Sequence, residues 1–145
     1  MISDFVNSCE NTINDVSDLF IVHEDVLYGF KCLDHIIEYF SESVCKKEWL
    51  DYRIIHLIYI FNEIMCNRID YMIEHQYLSD NIDIRNIQND FRDMAYRNAI
   101  LRNLVIKYNL IKGQKYGEIV IKKMKDLFSE LENSLKKLNI YLENI

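Results

Sequence analysis

Histidine and cysteine are the side chains best able to hold a metal or move a proton near neutral pH, so their spacing is the first thing to weigh. His23, His35, His56 and His75 are scattered along the first half of the chain without an H-E-x-x-H pair. Cys32-x-x-His35 and His35-x-x-Glu38 put potential ligands one helical turn apart, but a carboxylate site in a helix bundle needs two Glu-x-x-His repeats and the sequence has none. Cys9, Cys32, Cys45 and Cys66 are separated by 23, 13 and 21 residues, with neither a C-x-x-C nor a zinc-finger interval. There is no Gly-x-Ser-x-Gly, no glycine-rich loop to cradle a phosphate, and no nucleophile sharing a segment with a histidine. The reading is no metal, no cofactor and no catalytic residue, leaving a chain that works by binding.

Charge is where binding chemistry shows. Residues 1–80 hold 15 acidic and 5 basic side chains, a balance of −10, whereas residues 85–125 hold 10 basic and 3 acidic, a balance of +7. The acidic candidates for docking a partner are Glu24, Asp25, Glu42 and Glu48, chosen for expected exposure. The candidates for holding an anion are Arg92, Arg97, Arg102, Lys107, Lys112 and Lys115. At about 100° per residue, Arg85, Arg92 and Lys107 point away from the apolar stripe of their helix while Arg97 and Arg102 flank it, so they form no continuous strip. A solvated face whose arginine stems cover the core edges is the plain alternative. The overall charge of −6 opposes general polyanion binding.

These side chains must be positioned by helices. A chain of 145 residues is one domain's length, half of it is apolar, and it has no proline and three glycines, so the punctuation of sandwiches and barrels is missing. Apolar residues recur at intervals of three and four throughout. The expected fold is all-α, a single-domain bundle (1–145) of about five helices. The first, 3–20, lines up Phe5, Cys9, Ile13, Val16 and Phe20. The second runs from an acidic start at 23–25 through Val26, Phe30, Leu33, Ile37, Phe40 and Val44. The third, 48–78, contains the nearly all-apolar IIHLIYIF of residues 54–61 and should be central, with Ile58, Phe61 and Met65 in the core. The fourth, 82–111, repeats Ile84, Phe91, Asn98, Val105 and Ile87, Met94, Leu101, Tyr108 at two heptad positions, which places Asn98 inside the stripe to fix register or bond the backbone. A loop at 112–117 precedes the last helix, 118–143, with Val120, Met124, Leu127, Leu131, Leu135, Leu138 and Leu142 on one side.

The first residues carry acid and no basic n-region, and no apolar run reaches membrane-spanning length, so the expected location is the cytoplasm, with the four cysteines as reduced, buried thiols and no intrachain disulfide. Most aromatics fall on apolar stripes. Tyr52, Tyr77, Tyr96 and Tyr116 do not, and are the candidates for exposure at an interface.

Arg102-Asn103-Leu104-Val105-Ile106-Lys107-Tyr108, followed by Glu118-Ile119-Val120 and Asp126-Leu127, resembles the C-terminal half of HEPN helical domains over about 40 residues. The family's R-N-x-x-x-H motif implies RNA cleavage by its arginine and histidine. Here Arg102, Asn103 and, less closely, Tyr108 match, Lys107 stands near the histidine's place, and no histidine follows His75. The resemblance therefore implies a degenerate domain that binds RNA or a nucleotide, and it adds Asn103 to the anion-binding candidates. Size and richness in Ile, Asn and Tyr also resemble the poxviral relatives of the Bcl apoptosis regulators, but Asn-Trp-Gly-Arg is absent and Trp49, the sole tryptophan, is far from the motif's place. The leading expectation is a non-enzymatic interaction module of the immunity-protein, antitoxin or viral-antagonist type, acting in toxin–antitoxin or host–virus conflict. Its partner would be a protein with a basic surface; RNA is the second choice, no membrane is involved, and homodimerisation is left open.

Overall fold

The computed structural model describes residues 29–145, which form four helices and no strand: α1 (Phe30–Cys45), α2 (Tyr52–Glu74), α3 (Ile82–Ile111) and α4 (Gln114–Glu143). The all-α expectation holds. The count of five does not hold among the described residues, because the expected helix 3–20 and the acidic start at 23–25 lie outside them.

Each helix end has a local cause. Gly29 takes φ 61°, open to glycine without strain, as α1 begins. Past α1, the left-handed Lys47 donates its N–H to Val44 O at 3.1 Å and Glu48 N–H reaches Ser43 O at 2.8 Å, a Schellman closure. Asp51 caps α2 by accepting from Arg53 N–H at 3.0 Å. The far end of α2 closes through left-handed Gln76, with Tyr77 N–H on Met72 O at 2.8 Å. Asn81 caps α3 by accepting from Ile84 N–H at 3.1 Å. Only Lys112, left-handed at φ 56°, and Gly113 separate α3 from α4.

The loop expected at 112–117 is therefore mostly helix, and Gly117 serves packing instead of turning. A Cβ at Gly117 would overlap Val44 Cγ1 of α1 and press on the Tyr108 ring of α3 at 3.2 Å. Glycine at that point lets three helices meet.

In the packing order, α2 lies on α3, α3 on α4 and α4 on α1. Successive neighbours run antiparallel: Leu50 sits beside Asn109 and Asp70 beside Arg85, while Gly117 lies against Tyr108 and Tyr141 bonds Asn81. The core belongs to α3. All eight of its heptad positions are buried, and so are Val120, Met124, Leu127, Leu131, Leu135 and Leu138 of α4. Leu142 is half-buried.

The long apolar helix is not the centre. Met65 is buried, but Ile58 and Phe61 are half-buried and Leu57 is 65% exposed. An apolar run shows that neighbours are wanted without showing how many are present, and α2 packs mainly on α3. Four described residues also carry buried side-chain polar atoms without partners: both amide atoms of Asn62, Nε of Arg97, Oδ1 of Asn98 and the Tyr108 hydroxyl. The carbonyl oxygen of Asn98 thus does not bond the backbone as expected. Burial pushes the Tyr108 hydroxyl pKa up.

Cys32, Cys45 and Cys66 are free thiols, and Cys9 lies outside the described residues. Only Cys66 is buried; Cys45 is exposed and Cys32 intermediate, which corrects the expectation of uniformly buried thiols. Burial raises the Cys66 pKa, and its Sγ faces Gln88 O at 3.5 Å while Gln88 Nε2 donates to Cys66 O at 3.0 Å.

Candidate functional site

Of the basic residues of α3, Arg85 and Arg97 are held by carboxylates at ion-pair distance, whereas Arg92, Arg102 and Lys107 are not. Arg85 is saturated: its Nε and Nη2 donate to Asp80 at 2.8 and 3.0 Å, and Nη1 donates to Asp70 and Gln88 at 2.8 and 2.9 Å. Its pKa is raised and that of Asp80 lowered by their mutual bonds, and Asp70 is lowered by Gln88 and then Arg85. Arg97 bonds Glu130 of α4 through both terminal nitrogens and pairs with Asp93 at 2.8 Å. Glu130 is held below the ordinary carboxylate range by that guanidinium. Both guanidiniums are thus held by carboxylates, Arg85 by Asp70 and Asp80 and Arg97 by Asp93 and Glu130.

Further along α3 the carboxylates stop. Arg102 donates from Nη1 to His56 Nδ1 of α2 at 3.1 Å, and its guanidinium carbon lies 5.7 Å from the Tyr59 ring centroid. Lys107 Nζ is 4.6 Å from the Tyr116 ring centroid. Lys112 Nζ is 5.7 Å from the Trp49 ring and 6.0 Å from Tyr108. Among the described residues, Arg102, Lys107 and Lys112 have no carboxylate within ion-pair distance. They rest on π-faces, whose attraction for a cation leaves its charge and N–H groups free for a further anion.

This end of the bundle is built firmly. Leu50, fully buried, donates its N–H to Asn109 Oδ1 and accepts from Asn109 Nδ2, both at 2.8 Å, so one side-chain amide fixes the crossing from α1 to α2. Trp49, 57% exposed, and Tyr52 stand beside that anchor, and Lys46 and Lys47 precede it on the surface. Arg53 is paired with the Asp51 cap at 2.8 Å. The acids here are Glu42 and Glu48, both exposed, and Glu118, which accepts from Gln114 at 3.4 Å.

Of the remaining candidates, Arg92 donates to Asn89 Oδ1 at 2.9 Å, and Asn103 and Lys115 are exposed. Glu24 and Asp25 lie outside the described residues. Tyr52, Tyr77 and Tyr96 are exposed, while Tyr116 is half-buried beneath Lys107. Sequence reasoning missed His56, Tyr59 and Trp49. His56 and Arg102 are 46 positions apart, and only antiparallel pairing of α2 with α3 joins them.

Chemically Arg102, Lys107 and Lys112 are donors, each held by its own rings: Tyr59 of α2, Tyr116 of α4, and Trp49 with Tyr108. Arginine has no acceptor, so in the Arg102–His56 bond the imidazole Nδ1 accepts. Among the described residues no three His, Cys, Asp or Glu side chains converge to hold a metal, and no helix is long and apolar enough to cross a membrane. No family model, curated protein or solved structure matches the chain.

Proposed function

We propose that the chain is a non-enzymatic helical interaction module whose charged binding face is the cation–aromatic end formed by Arg102, Lys107 and Lys112 with His56, Trp49 and Tyr52, and that it takes an anionic macromolecule, single-stranded RNA foremost. The observation that carries this reading is the contrast within α3: Arg85 and Arg97 are spent on carboxylates, whereas Arg102, Lys107 and Lys112 are held on aromatic rings with no acid partner among the described residues. Exposed Trp49 and Tyr52 supply faces on which bases stack, and unpaired cations supply phosphate contacts. The overall charge of −6 confines such binding to this end and makes it strongly salt-dependent.

The test is fluorescence anisotropy of a labelled single-stranded RNA against the full chain and against Arg102→Glu/Lys107→Glu/Lys112→Glu. Saturable binding that the triple variant loses supports the reading, with the salt slope of partly reversed variants falling by about 0.7 per lost phosphate contact. Binding unaffected by the triple variant, or no binding at low salt, overturns it.

The acidic face is kept as a second reading because Glu42 and Glu48 are both exposed and neither forms an ion pair among the described residues. In that case the partner is a basic protein, and reversal at Glu42 and Glu48 slows its association while the lysine and arginine reversals do little.

A further inference from the structure

Arg102 and His56 share a hydrogen bond that only one protonation state can hold. Arg102 Nη1 donates to His56 Nδ1 at 3.1 Å, so that ring nitrogen must offer a lone pair. Tyr59 backs both groups: its ring stacks on the imidazole at 5.7 Å between centroids with 18° between planes, and lies 5.7 Å from the guanidinium carbon. All three side chains are half-buried. Adding a proton to the imidazole places a hydrogen on Nδ1, so that donor faces donor and two cations adjoin. At His35 such a charge would meet Glu38, 3.3 Å away. Among the described residues neither His56 nor Arg102 has a carboxylate within ion-pair distance. The charged group that faces the ring from α3, on which α2 packs, is Arg102. Along α2 the nearest titratable or charged groups in sequence are Tyr59 one turn on and Tyr52 and Arg53 one turn before, Arg53 being already tied to Asp51.

We propose that His56 and Arg102 form an acid-activated oxyanion site, in which a phosphate-type anion accepts from the imidazolium Nδ1–H and the guanidinium Nη1–H in place of the direct bond between them. Two donors left facing each other need an acceptor, and a tetrahedral oxyanion offers an oxygen to each while offsetting both charges. Partial burial against Tyr59 strengthens that attraction, because less water screens it. The site rests on the reading of Arg102 as a cation open to an anion, and it adds regulation: the hold on the anion is weaker while His56 engages Arg102 and tighter once the imidazole is charged. Imidazole is the side chain that ordinarily makes this change between about pH 8 and pH 5. A free inorganic dianion and a nucleic-acid phosphodiester share the chemistry required.

The test follows the His56 ring and Arg102 Nε–H signals of the isotope-labelled full chain by NMR. Inorganic sulfate and dimethyl phosphate are titrated separately, since neither changes its charge between about pH 5 and pH 8. Sulfate should move both signals, with a dissociation constant at least about fivefold lower near pH 5.5 than near pH 8. In His56→Gln, which keeps an acceptor for Arg102 but takes no proton, that gain should vanish at the Arg102 signal; His56→Phe, which keeps a ring against Tyr59, should behave alike. In Arg102→Gln the ring should still titrate, but sulfate should no longer move it. Binding of both probes assigns a backbone phosphodiester and binding of sulfate alone a free dianion, and either supports the site. Equal sulfate affinity at both pH values, an acid gain that survives His56→Gln, or a ring signal that neither probe moves would overturn it. Neither probe is RNA, so a failure to bind RNA and a failure of this site are read separately.

Discussion

The stretch of α3 from Arg85 to Arg97 and the stretch from Arg102 to the cap at Lys112 carry the same kind of residue and use it in different ways. Arg85 and Arg97 are fasteners, tying α3 to the turn before it, to α2 and to Glu130 of α4 through carboxylates. Arg102, Lys107 and Lys112 fasten little; they lie on Tyr59, Tyr116 and Trp49 and keep their charge. A basic stretch of sequence is therefore not yet a basic surface. What decides is which cations meet a carboxylate at ion-pair distance, and among the described residues Arg85 and Arg97 do while Arg102, Lys107 and Lys112 do not.

The difference can be broken most severely at Asn109. Asn109→Ala strips the buried Leu50 of both backbone partners, and each orphaned group costs about 1–3 kcal/mol, so chemical denaturation should show a loss of about 3 kcal/mol. If the cation–aromatic end depends on that anchor, RNA binding by the folded fraction also weakens; a mild loss of stability with intact binding would separate the two.

Triple reversal of Arg102, Lys107 and Lys112 should lower RNA affinity at least about tenfold, near 1.4 kcal/mol, with little change in melting temperature. Reversing Arg85 and Arg97 should do the converse, lowering stability and sparing affinity, because their partners would be left as unopposed acids.

Lys112→Gly sharpens the contrast in a different way. Lys112 occupies a left-handed backbone at φ 56° that glycine adopts freely, so the variant should gain about 0.5–1 kcal/mol of stability while binding RNA less tightly. A lysine kept there for its charge predicts that opposite movement. Unchanged affinity would show that its place over Trp49 is incidental.

The smallest effect is expected at Glu130→Gln. Arg97 lowers the folded pKa of Glu130 from its ordinary value of 4.5, so the stabilisation is fully present above that value and is lost as pH falls through the folded pKa. Both side chains are partly exposed, which limits the pair to less than about 1 kcal/mol. The variant should show a flatter loss of stability below about pH 4.5 than the parent and converge with it at the acid limit.

The helices were legible wherever periodicity was long. The heptad positions of α3 and the leucine stripe of α4 could be read residue by residue, since 30-residue helices give many repeats against which to judge phase. The loop at 112–117 was misread because glycine is ambiguous: Gly113 ends a turn, while Gly117 makes room for Val44 and Tyr108, and only tertiary contact distinguishes them. Helix α2 was misplaced because an apolar composition does not count neighbours. The candidate site was half legible. Its cations stood out in the charge balance, but the carboxylates that hold Arg97 and the rings that hold Arg102, Lys107 and Lys112 come from distant positions in the chain.

The grip of Asn109 on Leu50 also bears on proteolysis. Lys46 and Lys47 lie exposed in a six-residue crossing between helices, which on sequence alone is an inviting tryptic site. A protease must draw such a segment out as an extended strand, however, and the buried Leu50, bonded at both its N–H and C=O, anchors the crossing a few residues away. Cleavage there should then await opening of the bundle end, and the rate of nicking after Lys47 becomes a clock for how often Leu50 leaves Asn109 of α3.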